Sequence, residues 1–200
     1  MSVIIDRLSY DTGQTNLAAL ACAALGVPDL QDLEPANRVA TRETDQQTIY
    51  HHRFYGELDT FLPVYQQFVR ELLKDQLPEM YVQRIPTFRV HLRNSVAVGE
   101  WHRDREWGHD PAEVNYWVPL TPAYGNNTVW IEGEPVIAQY GEVIVFDGAN
   151  QLHGNVVNDT EHSRVSMDFR TIPRKDYRPR EERSASHGVR FVLGEYWDVF

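Results

Sequence analysis

The chain has 200 residues with a formal net charge of −10, and 42% of its residues are hydrophobic. This length suits one domain, the hydrophobic share excludes a disordered chain, and the negative charge argues against a general nucleic-acid binder. The single cysteine, Cys22, excludes an internal disulfide framework, and no apolar stretch is long enough to span a bilayer. We therefore predict one cytoplasmic domain, residues 1–200, that binds neither nucleic acid nor a membrane.

The N-terminal third favours helices. A stretch rich in Leu and Ala over 15–25 ends at Gly26, which is typical of a helix stopped by glycine. Apolar residues in 58–77 recur at spacings of three and four, which predicts an amphipathic helix. Between the two, the polar stretch 28–56 lacks periodicity. It is interpreted as a long loop, a candidate lid, with a short strand at 48–54.

Residues 81–172 change to an alternation of apolar and polar residues, which is typical of strands. Short alternating segments are separated by turn residues such as Gly-Asn-Asn at 125–127. This pattern predicts a mainly β core, a barrel or sandwich, after a helical part of residues 1–80. Residues 173–200 are predicted to form an exposed charged loop, with a second lid as the alternative, and then a last strand.

A candidate metal site lies in the strand-rich part. His102 and Asp104 are two residues apart, so in an extended segment both side chains lie on one face and can reach one ion. His153, after the strand-like stretch 141–146, is the best candidate for a third ligand. Two histidines and one carboxylate form the facial triad of non-haem Fe(II) oxygenases, which leaves positions open for cosubstrate and dioxygen.

A candidate carboxylate site follows eleven residues later. Arg164 and Ser166 share one face of a predicted strand, and a guanidinium beside a hydroxyl is suited to binding a carboxylate. A metal triad followed by this pair indicates a dicarboxylate cosubstrate, with one end on the metal and the other on Arg164.

With these residues in place, the region 88–173 resembles the 2-oxoglutarate/Fe(II)-dependent oxygenases. More narrowly, it resembles their streptomycin-biosynthesis-type branch, which is related to phytanoyl-CoA hydroxylases. The resemblance is carried by four segments: WHRDREWGH at 101–109, EVNYWVPLT at 113–121, NTVWIE at 127–132 and RVSMDFR at 164–170.

The resemblance implies a double-stranded β-helix, a cupin-like jelly roll with helices packed on one sheet. It implies an enzyme that uses Fe(II), 2-oxoglutarate and O2 to oxidise a C–H bond of a small molecule, releasing succinate and CO2, with hydroxylation as the expected outcome. The metal ligands and catalytic residues implied are His102, Asp104 and His153. The 2-oxoglutarate contacts implied are Arg164 and Ser166, with Asn115 and Thr128 as further contacts.

Four cationic or titratable side chains are candidates for substrate binding. Arg89, His91 and Arg93 alternate along a predicted strand and share one face. If that face lines the barrel mouth, they bind an anionic group; a solvated face is the alternative. Arg170 is predicted either to contact substrate or to support the metal ligands.

Two other sets have simpler interpretations. His51 and His52 are expected to be an exposed pair in the predicted lid, and Trp101 and Trp107 to belong to the core.

Two rival functions use the same fold: a cupin-like metal-dependent isomerase or epimerase, and a non-catalytic binding module. Neither needs a dicarboxylate pocket, so the Arg164–Ser166 pair favours the oxygenase.

Overall fold

The computed structural model describes residues 3–34, 47–96 and 100–200, and within them the fold is mainly β, as predicted. The helices are α1 (Leu17–Leu25), α2 (Ile49–Gly56) and α3 (Leu58–Leu72). The strands are β1 (Asp6–Ser9), β2 (Met80–Gln83), β3 (Thr87–His91), β4 (Val114–Pro119), β5 (Trp130–Ile131), β6 (Glu134–Pro135), β7 (Glu142–Phe146), β8 (His153–Gly154), β9 (Arg164–Pro173), β10 (Arg180–Arg183), β11 (Arg190–Phe191) and β12 (Trp197–Asp198).

The strands form three antiparallel sheets. The largest has the order β1-β7-β4-β9-β2-β12, with β3 also paired to β9. A smaller sheet has the order β6-β5-β8, and β10 pairs with β11. The long strand β9 therefore lies in the middle of the large sheet, between β4 on one side and β3 and β2 on the other.

The helices cover one face of the large sheet. The helix α1 begins where the Asn16 side chain accepts a hydrogen bond from the Ala19 backbone N–H, and it ends at Gly26, whose φ of 67° is left-handed. The helix α3 buries Phe61, Tyr65 and Phe68. These aromatic side chains join a hydrophobic core with apolar residues of β3, β4 and β9.

The two faces of β9 have different chemistry, although both are buried. Val165, Met167 and Phe169 pack in the core under the helices. The alternate positions 164, 166, 168 and 170 carry Arg, Ser, Asp and Arg on the opposite face. Because helices cover one face and the smaller sheet lies on the other, these polar side chains line an enclosed space.

One expectation for the connecting segments needs correction. The short strand predicted at 48–54 is wrong, because α2 occupies that stretch and buries Phe54 completely. Residues 35–46 of the predicted lid lie outside the described residues. At the other end of the chain, β12 pairs with β2. In the described ranges, no helix has the length and apolar character needed to cross a membrane.

Candidate metal and cosubstrate site

The structure brings His102, Asp104 and His153 together. A β-bridge joins the two histidines through His102 N–H to His153 C=O at 2.9 Å and the reciprocal bond at 3.0 Å. Asp104 opens a short 3-10 turn, and its N–H donates to the Gly148 carbonyl at 2.9 Å. One ligand atom from each of the three side chains lies within 4.8 Å of the others. Backbone pairing thus sets the spacing of the predicted triad.

The histidine rings are oriented to present Nε2 to Asp104. His102 Nδ1 lies 2.9 Å from the Glu100 carbonyl oxygen, and His153 Nδ1 lies 3.0 Å from the Gln151 carbonyl oxygen. A carbonyl can only accept, so Nδ1 carries the proton in each neutral ring and Nε2 keeps its lone pair. The two Nε2 atoms lie 3.4 and 3.5 Å from Asp104 Oδ1. This donor set, two imidazole nitrogens and one carboxylate oxygen, fits a divalent transition metal.

The second oxygen of Asp104 is held by three donors. Asp104 Oδ2 accepts from Arg170 Nε at 3.0 Å, from Arg170 Nη2 at 2.7 Å and from Asn115 Nδ2 at 2.8 Å. Burial opposes ionisation of Asp104, but the charge of Arg170 holds the pKa of this carboxyl well below its usual range. Oδ1 is therefore the oxygen left for a metal.

Arg170 contacts the candidate metal ligand Asp104, as one of the two roles considered for it requires. Besides Asp104, its guanidinium lies near Asp168 Oδ2 at 3.3 Å and Gln83 Oε1 at 3.4 Å. Asn115 lines the cavity and donates to Asp104, and its expected contact with 2-oxoglutarate stays a prediction. Its amide lies against Gly148, where a Cβ would come within 2.6 Å of Asn115 Cγ. Sequence spacing could not reveal this contact, because it depends on how β4 faces the turn that carries Gly148.

The predicted Arg164–Ser166 pair is present and buried. Arg164 Nη1 donates to Ser166 Oγ at 2.8 Å, and Nη2 donates to Asn155 Oδ1 at 2.8 Å. The guanidinium carbon lies 5.6 Å from the centre of the Trp117 ring, and Trp117 Nε1 donates to Ser166 Oγ at 3.0 Å. Arg164, His102 and His153 line the same cavity, and Asp104 and Ser166 lie directly against these lining residues.

Three candidate side chains are placed elsewhere. His91 is fully buried, with its ring nitrogens 3.1 and 3.3 Å from two backbone carbonyl oxygens. Arg93 follows the end of β3, so strand alternation no longer applies to it, and it forms an exposed ion pair with Glu34. The Thr128 hydroxyl donates to the Val136 carbonyl, and its neighbour Val129 lines the cavity instead.

Arg89 does line the cavity, together with residues that were not predicted from the sequence. Arg89 Nε donates to Asp168 Oδ1 at 2.8 Å. Asp168 shares the strand parity of Arg164 and Ser166, so alternation along β9 contained the signal for it. His51 also lines the cavity and is only 2% exposed, which corrects its expected exposure.

The tryptophans near the triad are also not where they were expected. Trp101 and Trp107 are 36% and 41% exposed instead of belonging to the core. Trp101 directly precedes His102, and Trp107 follows later in the same segment. The ring of Trp107 lies edge-on to that histidine with centroids 6.5 Å apart.

Comparison with known proteins gives one close relative in sequence and several structures that share the fold at low sequence identity. No family model matches the chain. CytC3, in a structure with Fe(II) and α-ketoglutarate, shares the fold with a TM-score of 0.51, 12% identity and coverage of 86% of this chain and 73% of that chain. The non-haem α-ketoglutarate-dependent carbocyclase SnoK from nogalamycin biosynthesis gives a TM-score of 0.50, 11% identity and coverage of 84% and 78%.

A relative found by sequence has a far higher identity to this chain. The streptomycin biosynthesis protein StrG of Streptomyces griseus is 65% identical over 193 residues, which cover 96% of this chain and 97% of StrG. Identity at this level over nearly the full length of both chains establishes common descent. The chain belongs to the family of the streptomycin biosynthesis protein StrG.

Proposed function

We propose that the chain is a cytoplasmic non-haem iron oxygenase that uses 2-oxoglutarate and O2 to oxidise a C–H bond of a small molecule in antibiotic biosynthesis. Hydroxylation is the expected outcome, with succinate and CO2 as coproducts. The observation that carries the proposal is one cavity lined by His102, His153 and Arg164, with Asp104 in contact with both histidines and Ser166 bonded to Arg164. We further propose a single jelly-roll domain related to phytanoyl-CoA hydroxylases.

The metal-binding part of the proposal rests on the donor set. His102 Nε2, His153 Nε2 and Asp104 Oδ1 would hold Fe(II), and with 2-oxoglutarate and O2 the bound iron supplies the oxidising power to attack an unactivated C–H bond. Among the described residues, Asn115 Oδ1 is buried without a hydrogen-bond partner. A buried acceptor next to Asp104 fits a site that receives a further hydrogen-bond donor when it is loaded.

The cosubstrate part rests on unused hydrogen-bonding capacity at Ser166. Its oxygen accepts from both Arg164 Nη1 and Trp117 Nε1, so its lone pairs are occupied and its own proton can be donated. A carboxylate accepts from a hydroxyl and from a planar guanidinium together. The distal carboxylate of 2-oxoglutarate therefore matches this corner of the cavity, whereas an isomerase or a simple binding module has no need of it.

Apolar side chains form part of the walls around the site. Trp117, Val129 and Phe146 line the cavity beside the polar residues and are all less than 10% exposed. In such surroundings the charges of Asp104 and Arg164 act with little screening. The fold shared with CytC3 and SnoK supports this chemistry, and the relationship to StrG supports a role in antibiotic biosynthesis.

An anaerobic spectroscopic titration tests the proposal. Fe(II) is added to metal-free protein, followed by 2-oxoglutarate, and the weak visible charge-transfer band of the chelated cosubstrate is measured. We expect a saturable band in the wild type, no band in Asp104→Ala, and saturation at higher 2-oxoglutarate concentration in Arg164→Ala. Bound metal without a band in the wild type would favour the metal-dependent isomerase, and no bound metal would favour the binding module.

A further inference from the structure

A second buried carboxylate lies close to the guanidinium that holds Asp104. Glu113 Oε2 lies 4.0 Å from Arg170 Nε, and the Glu113 side chain is only 2% exposed. The register of the large sheet places them together, because Asn115 pairs with Arg170 and Glu113 lies two residues earlier, just before β4 begins. At 4.0 Å the two groups attract each other as charges but are too far apart for a hydrogen bond.

Two donors from the loop before β4 hold Glu113 in this place. His109 Nδ1 lies 2.7 Å from Glu113 Oε2, and it is the donor because a carboxylate can only accept. The Asp110 backbone N–H donates to Glu113 Oε1 at 2.8 Å. The oxygen that lies 4.0 Å from Arg170 is therefore the one that His109 binds.

The Nε atom of Arg170 has a single N–H, and two carboxylates are within reach of it. It donates to Asp104 Oδ2 at 3.0 Å, which is one of the two bonds from Arg170 that fix this oxygen. A shift of about 1 Å would bring Glu113 Oε2 within hydrogen-bond distance of the same atom. A buried carboxylate that has lost a donor is costly, so it takes another donor if one is near. Release of Glu113 from His109 would therefore draw Nε away from Asp104.

The His109 ring is fixed by packing that involves no metal candidate. It is buried against Phe191 and Tyr196, with ring centroids 4.7 and 5.8 Å apart. The turn that Asp104 opens ends at Gly108, whose φ of 87° is left-handed, and His109 follows directly. The position of the donor is thus set by the fold.

We propose that His109 is a positioning residue for the metal site: it holds the Glu113 carboxylate off Arg170 and so reserves Arg170 for Asp104. Both His109 and Glu113 are described residues, and neither is among those that line the cavity. The proposal rests on the metal-binding function proposed above and adds a control of it from outside the cavity.

Co(II) binding by two variants at position 109 separates the donor from the ring. Metal-free protein is titrated with Co(II), and the affinity and the visible spectrum are measured. His109→Phe keeps an aromatic ring against Phe191 and loses the donor, so we expect about tenfold weaker binding and a changed spectrum. His109→Asn loses the ring and keeps a side-chain N–H near the position of Nδ1, so it should bind Co(II) as the wild type does. A role in packing alone predicts the reverse order.

A double variant tests the competition between the two carboxylates. Glu113→Gln removes the competing charge, and its amide oxygen can still accept from the Asp110 N–H. Alone it should bind Co(II) nearly as the wild type does. Combined with His109→Phe it should return the affinity and the spectrum towards the wild type, although two side chains have then changed. Glu161→Gln, the same change at an exposed carboxylate, is the matched control.

The role of His109 is wrong if His109→Phe has the wild-type affinity and spectrum, or if His109→Asn loses as much affinity as His109→Phe. It is also wrong if Glu113→Gln alone weakens binding tenfold, or if the double variant binds no better than His109→Phe. The single and double variants bear on the proposal separately, so the test stands if one of them fails to fold. Failure of the wild type to bind Co(II) would overturn the metal site itself, whereas wild-type binding with one of these results would overturn only the role of His109.

Discussion

Arg170 holds Asp104 at two points on a single oxygen: its Nε and Nη2 atoms donate to Asp104 Oδ2 at 3.0 and 2.7 Å. Asn115 adds a third donor to the same oxygen. The carboxylate is therefore fixed with Oδ1 towards His102 and His153. Hydrogen-bonded partners of this kind set the orientation and the basicity of metal ligands.

Arg170→Lys is predicted to weaken metal binding while keeping the charge. A lysine has a single ammonium group and cannot reproduce the two-point contact. We expect a 10- to 100-fold loss of Co(II) affinity, which is typical for lost support of a metal ligand, and a changed visible Co(II) spectrum. Arg178→Lys, an exposed and equally conservative change, is the control. An unchanged spectrum and affinity in Arg170→Lys would show that the ion pair does not orient Asp104.

Gly148→Ala is predicted to displace Asn115 from Asp104. The new methyl group would overlap the Asn115 amide, and an overpacked buried site of this kind costs about 1–3 kcal/mol. We expect lower stability in urea denaturation and weaker Co(II) binding. Gly56→Ala, where a Cβ meets nothing within 4 Å, is the control.

The contact between Gly148 and Asn115 can also be tested in a double variant. Once Asn115 is replaced by alanine, the added methyl group at position 148 no longer meets an amide, so Gly148→Ala should cost much less stability in the Asn115→Ala background. If the two changes are additive, the clash is with some other group.

Arg164→Lys is predicted to separate cosubstrate binding from metal binding. Arg164 donates to Asn127, Ser166 and Asn155, and none of these three residues is a metal candidate. Replacing the planar fork with a point charge should raise the dissociation constant of 2-oxoglutarate at least about tenfold, with Co(II) affinity unchanged. Calorimetry with 2-oxobutyrate, which lacks the distal carboxylate, completes the test. The variant should lose its preference for 2-oxoglutarate, and a retained preference would place the distal carboxylate elsewhere.

His51 is predicted to make the metal-free protein less stable in mild acid. Burial lowers its pKa to about 4 in the folded chain, whereas the unfolded value is about 6.5. Between these values the unfolded chain binds the extra proton. The contribution of His51 to the free energy of unfolding is therefore fully present above pH 6.5 and falls by up to about 1.4 kcal/mol per pH unit as the pH drops towards 4. Urea denaturation at pH 7 and pH 5 should show a smaller difference for His51→Asn than for the wild type. Equal differences would contradict the buried neutral ring.

Local patterns predicted the strand-rich core and the candidate pairs that are close in sequence. Arg164 and Ser166 share one face of β9, as two-residue spacing in a strand predicts. His102 and Asp104 are also close together, but Asp104 opens a 3-10 turn, so the extended segment predicted there does not reach it. Contacts between segments that are distant in sequence could not be predicted from local patterns. The bond from Asn115 to Asp104 depends on which loop faces β4, and the burial of His51 depends on α2, which forms where the sequence lacks periodicity. Arg93 was misplaced because β3 ends at His91, two residues earlier than the alternation suggested.

The iron content of anaerobically reconstituted protein tests the central claim most directly. Purified chain is incubated with Fe(II), freed of excess metal and assayed for iron per chain in the wild type, His153→Ala and His52→Ala, the last being an exposed histidine outside the cluster. We expect about one iron per chain in the wild type and in His52→Ala, and almost none in His153→Ala. Equal iron in all three proteins, or none in the wild type, would contradict the assignment of His102, Asp104 and His153 as the iron site.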